Sequence, residues 1–150
     1  MMGSILKHVK TVLVHKWFVL LCGIKLGVPI HRLLLHDLSK LWVHEVPGYS
    51  GWYHDDKSRW DSAWNHHQKA NPHHWEYWVL VTRKGLKTLP MPQTYVREMC
   101  ADWLAAARSY EGAYPDNIES WKWWQDNFDT LMLHDSTRSQ AIKIMQGVLN

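Results

Sequence analysis

Cysteine is scarce in this chain: Cys22 and Cys100 are the only two in 150 residues. Without paired thiolates a structural zinc ribbon or finger is excluded. One cysteine sits in an apolar run and the other in a helical stretch, which predicts buried free thiols in a reducing compartment, although the spacing leaves a disulfide between them open. Long apolar runs are also missing. Within "TVLVHKWFVLLCGIKLG" (11–27) the longest uncharged run is Trp17 to Ile24, far short of the ~20 residues a spanning helix needs. No small-residue cleavage site follows it. The segment therefore reads as a buried helix of a cytoplasmic protein with no membrane span. There is no Lys/Arg cluster or basic stripe interleaved with aromatics, which argues against a dedicated nucleic-acid surface. No period-two run is long enough for a strand, and no repeat, low-complexity tract or linker interrupts the chain.

What is abundant is tryptophan and histidine, 11 of each. Tryptophan supplies core or pocket surface, and imidazole is the commonest protein metal ligand. The spacing predicts one all-α domain over 1–150, a compact bundle of about six helices. Ser4 reads as the N-cap of a helix over 5–23, with Ile5, His8, Val12, His15, Val19 and Cys22 on one inward stripe. A helix from Pro29 runs to about 40, and "VPGYSG" (46–51) reads as a loop. Helices are expected over 57–70 and, after Pro72, over 72–82. A loop at 84–92 precedes a long helix to about 109. A loop at 111–117 leads to a Trp-rich helix over 118–130. Asp135 reads as the N-cap of a last helix over 136–149.

Four separate segments offer an imidazole or carboxylate at a helix interior or end. They are His15, the pair His36-Asp37 in "RLLLHDLSK", the stretch "AWNHHQKANPHHWEYW" (63–78) and Asp102 in "EMCADWLAA". An aspartate among Met99, Trp103 and Leu104 is costly to bury unless it is paired or bound to a cation. A mixed His/Asp set suits Mn, Fe, Co, Ni or Zn better than Ca. Ligands drawn from different helices leave coordination positions for water and substrate. The plain alternative for His36-Asp37 is a solvated helix end.

The order His…His-Asp…His…His…Asp, with "LGVPIHRLLLHDLSK" around the His-Asp pair, resembles the HD-domain superfamily of metal-dependent phosphohydrolases. "HDLSK", "NPHHW.YW", "MP...VREM.ADW" and "LHDSTR" are also similar to a small uncharacterised family of bacterial and phage genomes, a likeness covering most of the chain. The wider resemblance implies an HD-type helical bundle holding one or two divalent transition metals. Its metal ligands would be His36, Asp37 and Asp102, completed by His15. His67 with His73 or His74 would serve a second metal or contact phosphate. Glu45 is the implied acid/base beside Asp37, and Lys40 a contact to substrate phosphate, with Arg97 and Arg59 as weaker phosphate contacts. Glu98, one turn before Asp102, could orient a ligand histidine through its far ring nitrogen. His66 reads as a surface or supporting residue. The implied substrate is a small phosphate ester, first a nucleotide, which a pI near 8.9 helps to attract. A di-iron oxygenase on the same scaffold and a non-catalytic metal- or nucleotide-binding module are the alternatives, and a homodimer is compatible with either. His134-Asp135 repeats the pair but reads as a helix cap, and "WKWWQ" (121–125) reads as core.

Overall fold

In the computed structural model, which describes residues 2–54 and 58–149, seven α-helices and one hairpin build the domain. Helix α1 (Met2–Lys25) buries His8, Val12, His15, Val19 and Cys22 along the expected stripe. Ser4 lies within this helix rather than capping it, because the helix starts upstream and continues past Gly23. A Cβ on Gly23 would collide with the Leu33 side chain, so glycine there admits helix α2 (Ile30–Leu35).

Helix α2 is half the expected length, since the chain leaves helical geometry at His36. A 3₁₀ turn over Leu38–Leu41 follows. The "VPGYSG" stretch is helix α3 (Val46–Gly51) rather than a loop. Its proline occupies the first turn, where no N–H is needed. Gly48 lets the backbone meet α4 (Trp60–Ala70), since a Cβ there would stand 2.5 Å from Ala63 Cβ and 2.6 Å from Arg59 O. The start expected for this helix, residue 57, lies outside the described residues.

The helix expected over 72–82 is absent. A 3₁₀ turn at Trp75–Trp78 leads into an antiparallel hairpin, β1 (Val79–Thr82) and β2 (Gly85–Thr88), which also replaces part of the loop at 84–92. Both strands are almost wholly exposed. With no buried face, the alternation that reveals a strand in sequence is missing.

Helix α5 (Gln93–Ala106) is the central element, packed on α1 on one side and on α7 (Asp135–Val148) on the other. It continues as a π-helical turn over Ala107–Glu111. Helix α6 (Lys122–Asn127) is shorter than expected and ends in a 3₁₀ turn. The main core joins Met99, Cys100, Leu104, Trp124, Phe128 and Met145. Trp124 stacks on Phe128 with ring centroids 3.8 Å apart, and Trp121 and Trp124 of "WKWWQ" are core. Both cysteines are buried and free. The cap of α7 is His134, whose ring accepts from the Ser136 N–H, and Asp135 is the first helical residue. Among the described residues no helix is long and apolar enough to cross a membrane.

Candidate metal centre

The His-Asp pair faces inward because the backbone bends there. His36 is extended, with φ −51° and ψ 129°, and Asp37 is left-handed, with φ 56° and ψ 17°. Asp37 is the only non-glycine residue with positive φ among those described. Aspartate tolerates that region better than most side chains, at a cost of about 1–2 kcal/mol. Lys16 Nζ donates to the carbonyls of Leu34 and His36, closing the end of α2 against α1. Both side chains then turn into the interior, His36 2% and Asp37 0% exposed.

There they meet donors from three other segments. His15 Nε2 of α1 lies 2.8 Å from Asp102 Oδ1 of α5 and 3.7 Å from Asp37 Oδ2. His36 Nε2 lies 3.5 Å from Asp102 Oδ1 and 3.6 Å from Asp37 Oδ1. On the other side of Asp37, Oδ1 is 3.1 Å from His67 Nε2 and 3.3 Å from His73 Nε2. Two four-residue groups result, His15/His36/Asp37/Asp102 and Asp37/His67/His73/His74, each with its ligand atoms within 4.8 Å of one another. Asp37 belongs to both. His67 and His74 meet, with ring centroids 4.7 Å apart, because the chain turns sharply at Asn71-Pro72. Asn71 Nδ2 pins that turn by donating to His67 O and Ser39 Oγ.

The donor set fits a cation. The Nε2 atoms of His15, His36, His67, His73 and His74, together with Asp37 Oδ1, are buried without a hydrogen-bond partner. Four of these nitrogens lie 2.8–3.6 Å from Asp37 or Asp102 oxygens without the alignment of a hydrogen bond. A cation between them would satisfy this arrangement, since an unmet buried polar group costs about 1–3 kcal/mol. The far nitrogens of His36, His67 and His73 face carboxylates, whereas His15 Nδ1 has no partner. Glu45 accepts from His67 Nδ1 at 3.0 Å and from His66 Nδ1 at 2.7 Å. Glu98 Oε1 accepts from His36 Nδ1 at 3.1 Å and lies 3.4 Å from His73 Nδ1. Glu98 Oε2 receives Arg32 Nε at 2.8 Å and Nη2 at 2.7 Å. A proton held on Nδ1 leaves the Nε2 lone pair for a metal.

Burial alone would raise the Asp37 carboxyl, but the charges of His36 and Lys40 hold it well below the usual range. Asp102 is held low against burial by the neighbouring imidazoles of His15 and His36, and Glu98 by those of His36 and His73. Burial works against the His36 imidazolium, yet the Asp37 charge and the neighbouring Asp102 and Glu98 carboxylates push its pKa up to about 10. His74 is depressed well below its ordinary value by burial and by the charges of His73 and His67. The aspartates are thus anionic and His74 neutral at physiological pH, the states in which they ligate metals, whereas His36 is protonated without a metal and would release its Nε2 proton on binding one.

A cavity of about 880 Å³ opens onto His15, His74, Asp102 and Lys40. Tyr49, Trp52, Tyr53, Trp60, Trp64 and Tyr110 form its walls. The π turn aims Tyr110 at His15, whose ring it parallels within 4° at 6.1 Å; π turns recur at functional sites. Lys40 Nζ reaches Asp37 Oδ2 at 2.5 Å from the cavity wall.

The centre thus gathers His15, His36, Asp37, His67, His74 and Asp102. His73, read from sequence as a second-metal ligand or a phosphate contact, is buried among the donors and does not line the cavity. Glu45, read as an acid/base, stands behind His67 and is also absent from the wall. Arg97 lines a separate groove with Lys25, Gly27 and Gln140, and Arg59 is exposed outside the cavity. Arg32, Ser39, Asn71, Tyr49 and Tyr110 were not evident from sequence. Arg32 alone had a signal, since it precedes His36 by one helical turn.

The position of Glu45 makes a prediction. Glu45→Gln is expected to weaken an ion held by His67, His73 and His74 by about 10- to 100-fold and leave one held by His15, His36 and Asp102 in place. Calorimetric metal titration reads this as one weakened phase of two. Two unchanged phases with a reduced turnover would return Glu45 to an acid/base role.

The fold and site define a helical protein with a buried histidine–aspartate centre that could hold metal beneath an aromatic cavity. The chain belongs to DUF5662, a family of unknown function whose model matches residues 4–146. No curated protein and no solved structure matches it.

Proposed function

We propose that this protein is a metal-dependent phosphohydrolase of the HD type that acts on a small phosphate ester, with a nucleotide as the leading substrate. The observation that carries the reading is the set of unpaired Nε2 atoms around Asp37, a carboxylate shared by two ligand groups. The centre would take two divalent ions from Mn, Fe, Co, Ni and Zn. Such ions lower the pKa of water toward neutrality and neutralise charge on phosphoryl oxygens.

The chain's own residues supply the rest. Lys40, on the cavity wall, donates to a phosphoryl oxygen. Tyr49, Trp60 and Trp64 receive the apolar or aromatic part of the ester. Water adds to phosphorus, the ester P–O bond breaks, and the products are the alcohol and inorganic phosphate. Two buried free thiols suit a reducing, cytoplasmic setting.

The test is phosphate release from nucleoside monophosphates and p-nitrophenyl phosphate by metal-loaded protein. Release that depends on metal is expected, and Lys40→Ala should lower kcat by about 10²- to 10³-fold, the scale of losing one transition-state donor. No release by loaded protein on any of these esters overturns the reading. The shared Asp37 equally suits a di-iron oxygenase, for which two irons per chain and oxygen uptake would be found instead. Bound metal with neither activity would identify a binding module.

A further inference from the structure

The solvent side of α1 carries a second seam. Leu6, Lys10, Leu13, Trp17, Leu20 and Ile24 recur at alternating steps of four and three, the heptad spacing of a helix-pairing face. At 100° per residue the seam lies across the helix from the buried stripe. Leu6, Leu13, Trp17 and Ile24 are each more than half exposed, while Leu20 is partly buried against the cluster of Val19, Val28 and Leu33.

A second apolar strip runs beside it. Lys16 Nζ donates to Leu34 O and His36 O, and His8 Nε2 donates to Lys40 O at 2.8 Å. These bonds lay residues 34–40 antiparallel along α1. Leu34, Leu35, Trp42 and Val43 on or next to that segment are 60%, 63%, 58% and 78% exposed. Together the strips leave on the order of 1,000 Å² of apolar surface, where a monomer's largest patch is about 300–600 Å². A standard interface buries about 800 Å² per partner, so this face is large enough for one.

We infer that a second copy of this chain covers the face, with α1 packed antiparallel on its two-fold mate. The seam is symmetric about its midpoint at residue 15, which is what an isologous interface requires. In that register Leu6 meets the partner's Ile24 and Leu13 meets the partner's Trp17. Lys10 lies along the partner's Leu20, its stem on the apolar surface and its ammonium in water. An anionic membrane would suit the lysines, since no acidic residue precedes Asp37, but it does not call for a symmetric seam. The interface would brace the segment that carries His36 and Asp37.

Sedimentation velocity of the full chain tests this over about 1–100 µM, a range that brackets ordinary dimer affinities. The expected mass is twice the 17.8 kDa of one chain. Leu13→Lys and Trp17→Glu alter exposed positions and should each give a folded monomer by circular dichroism. Mixing the two is expected to restore a 1:1 dimer, because the new charges face each other across the seam. Lys10→Leu leaves the core untouched and should tighten self-association by about tenfold, through added apolar burial at two symmetric positions. A wild-type chain that stays at 17.8 kDa, or that is monomeric and sediments with phosphatidylserine vesicles, overturns the inference. So do a dimer that survives both charged substitutions and a mixture that does not reassociate.

Discussion

Asp37→Ala is expected to remove both ions from the centre at once, taking the metal content from about two equivalents per chain to a trace. No other ligand belongs to both four-residue groups. Its Oδ1 faces His36, His67 and His73, while Oδ2 faces His15 and Lys40. His67→Ala, by contrast, should cost one equivalent, because the His15, His36 and Asp102 side of the centre keeps its donors. Elemental analysis of the two variants beside the wild type reads the difference directly. Any metal-dependent turnover should fall by about 10³-fold or more in Asp37→Ala, which corresponds to at least 4 kcal/mol of lost transition-state stabilisation. Alanine also tolerates the left-handed backbone at this position less well than aspartate does. Asp37→Asn separates that effect from the chemistry, since asparagine accepts the same φ and ψ but brings no charge. Retention of two equivalents and full turnover in Asp37→Asn would sink the shared-carboxylate reading.

The second large effect concerns the carboxylate behind the histidines. Glu98 is 2% exposed and receives hydrogen bonds from Arg32 and His36, with His73 Nδ1 nearby. Removing one partner of a buried charged network leaves the others uncompensated, at about 3–5 kcal/mol. Glu98→Ala is therefore expected to lower the Tm of the chelator-treated protein by roughly 10 °C or more, at the ~2–4 °C per kcal/mol typical of a domain this size. Metal affinity should fall as well, by about 10- to 100-fold, because His36 loses the acceptor that fixes its tautomer. A melting temperature within a degree or two of wild type would mean that Arg32 and the imidazoles find other partners, and that Glu98 does not hold the centre.

Much of the centre was legible because its members carry local signals. His15 falls on a 3–4 stripe with Val12, Val19 and Cys22, so its burial follows from helix periodicity. Asp102 sits among Met99, Trp103 and Leu104, where a carboxylate needs a partner. The departures occur where pattern and backbone disagree. Pro47 and Gly48 look like turn chemistry, yet one starts a helix and the other allows close contact with Ala63. Val79 to Thr88 carries no alternation because the hairpin buries neither face.

The sequence by itself determined the helical class, the inward face of α1, the tryptophan core and the identity of most donors, since each depends on spacing within one element. Only the tertiary structure decided which donors share Asp37, that Glu45 stands behind His67, that His73 and His74 both join the donors, and that Arg97 lies elsewhere. Those facts depend on the left-handed bend at Asp37, the turn at Asn71-Pro72 and the packing of α1 on α5. Such long-range distances are set by how elements dock, and no local period encodes them.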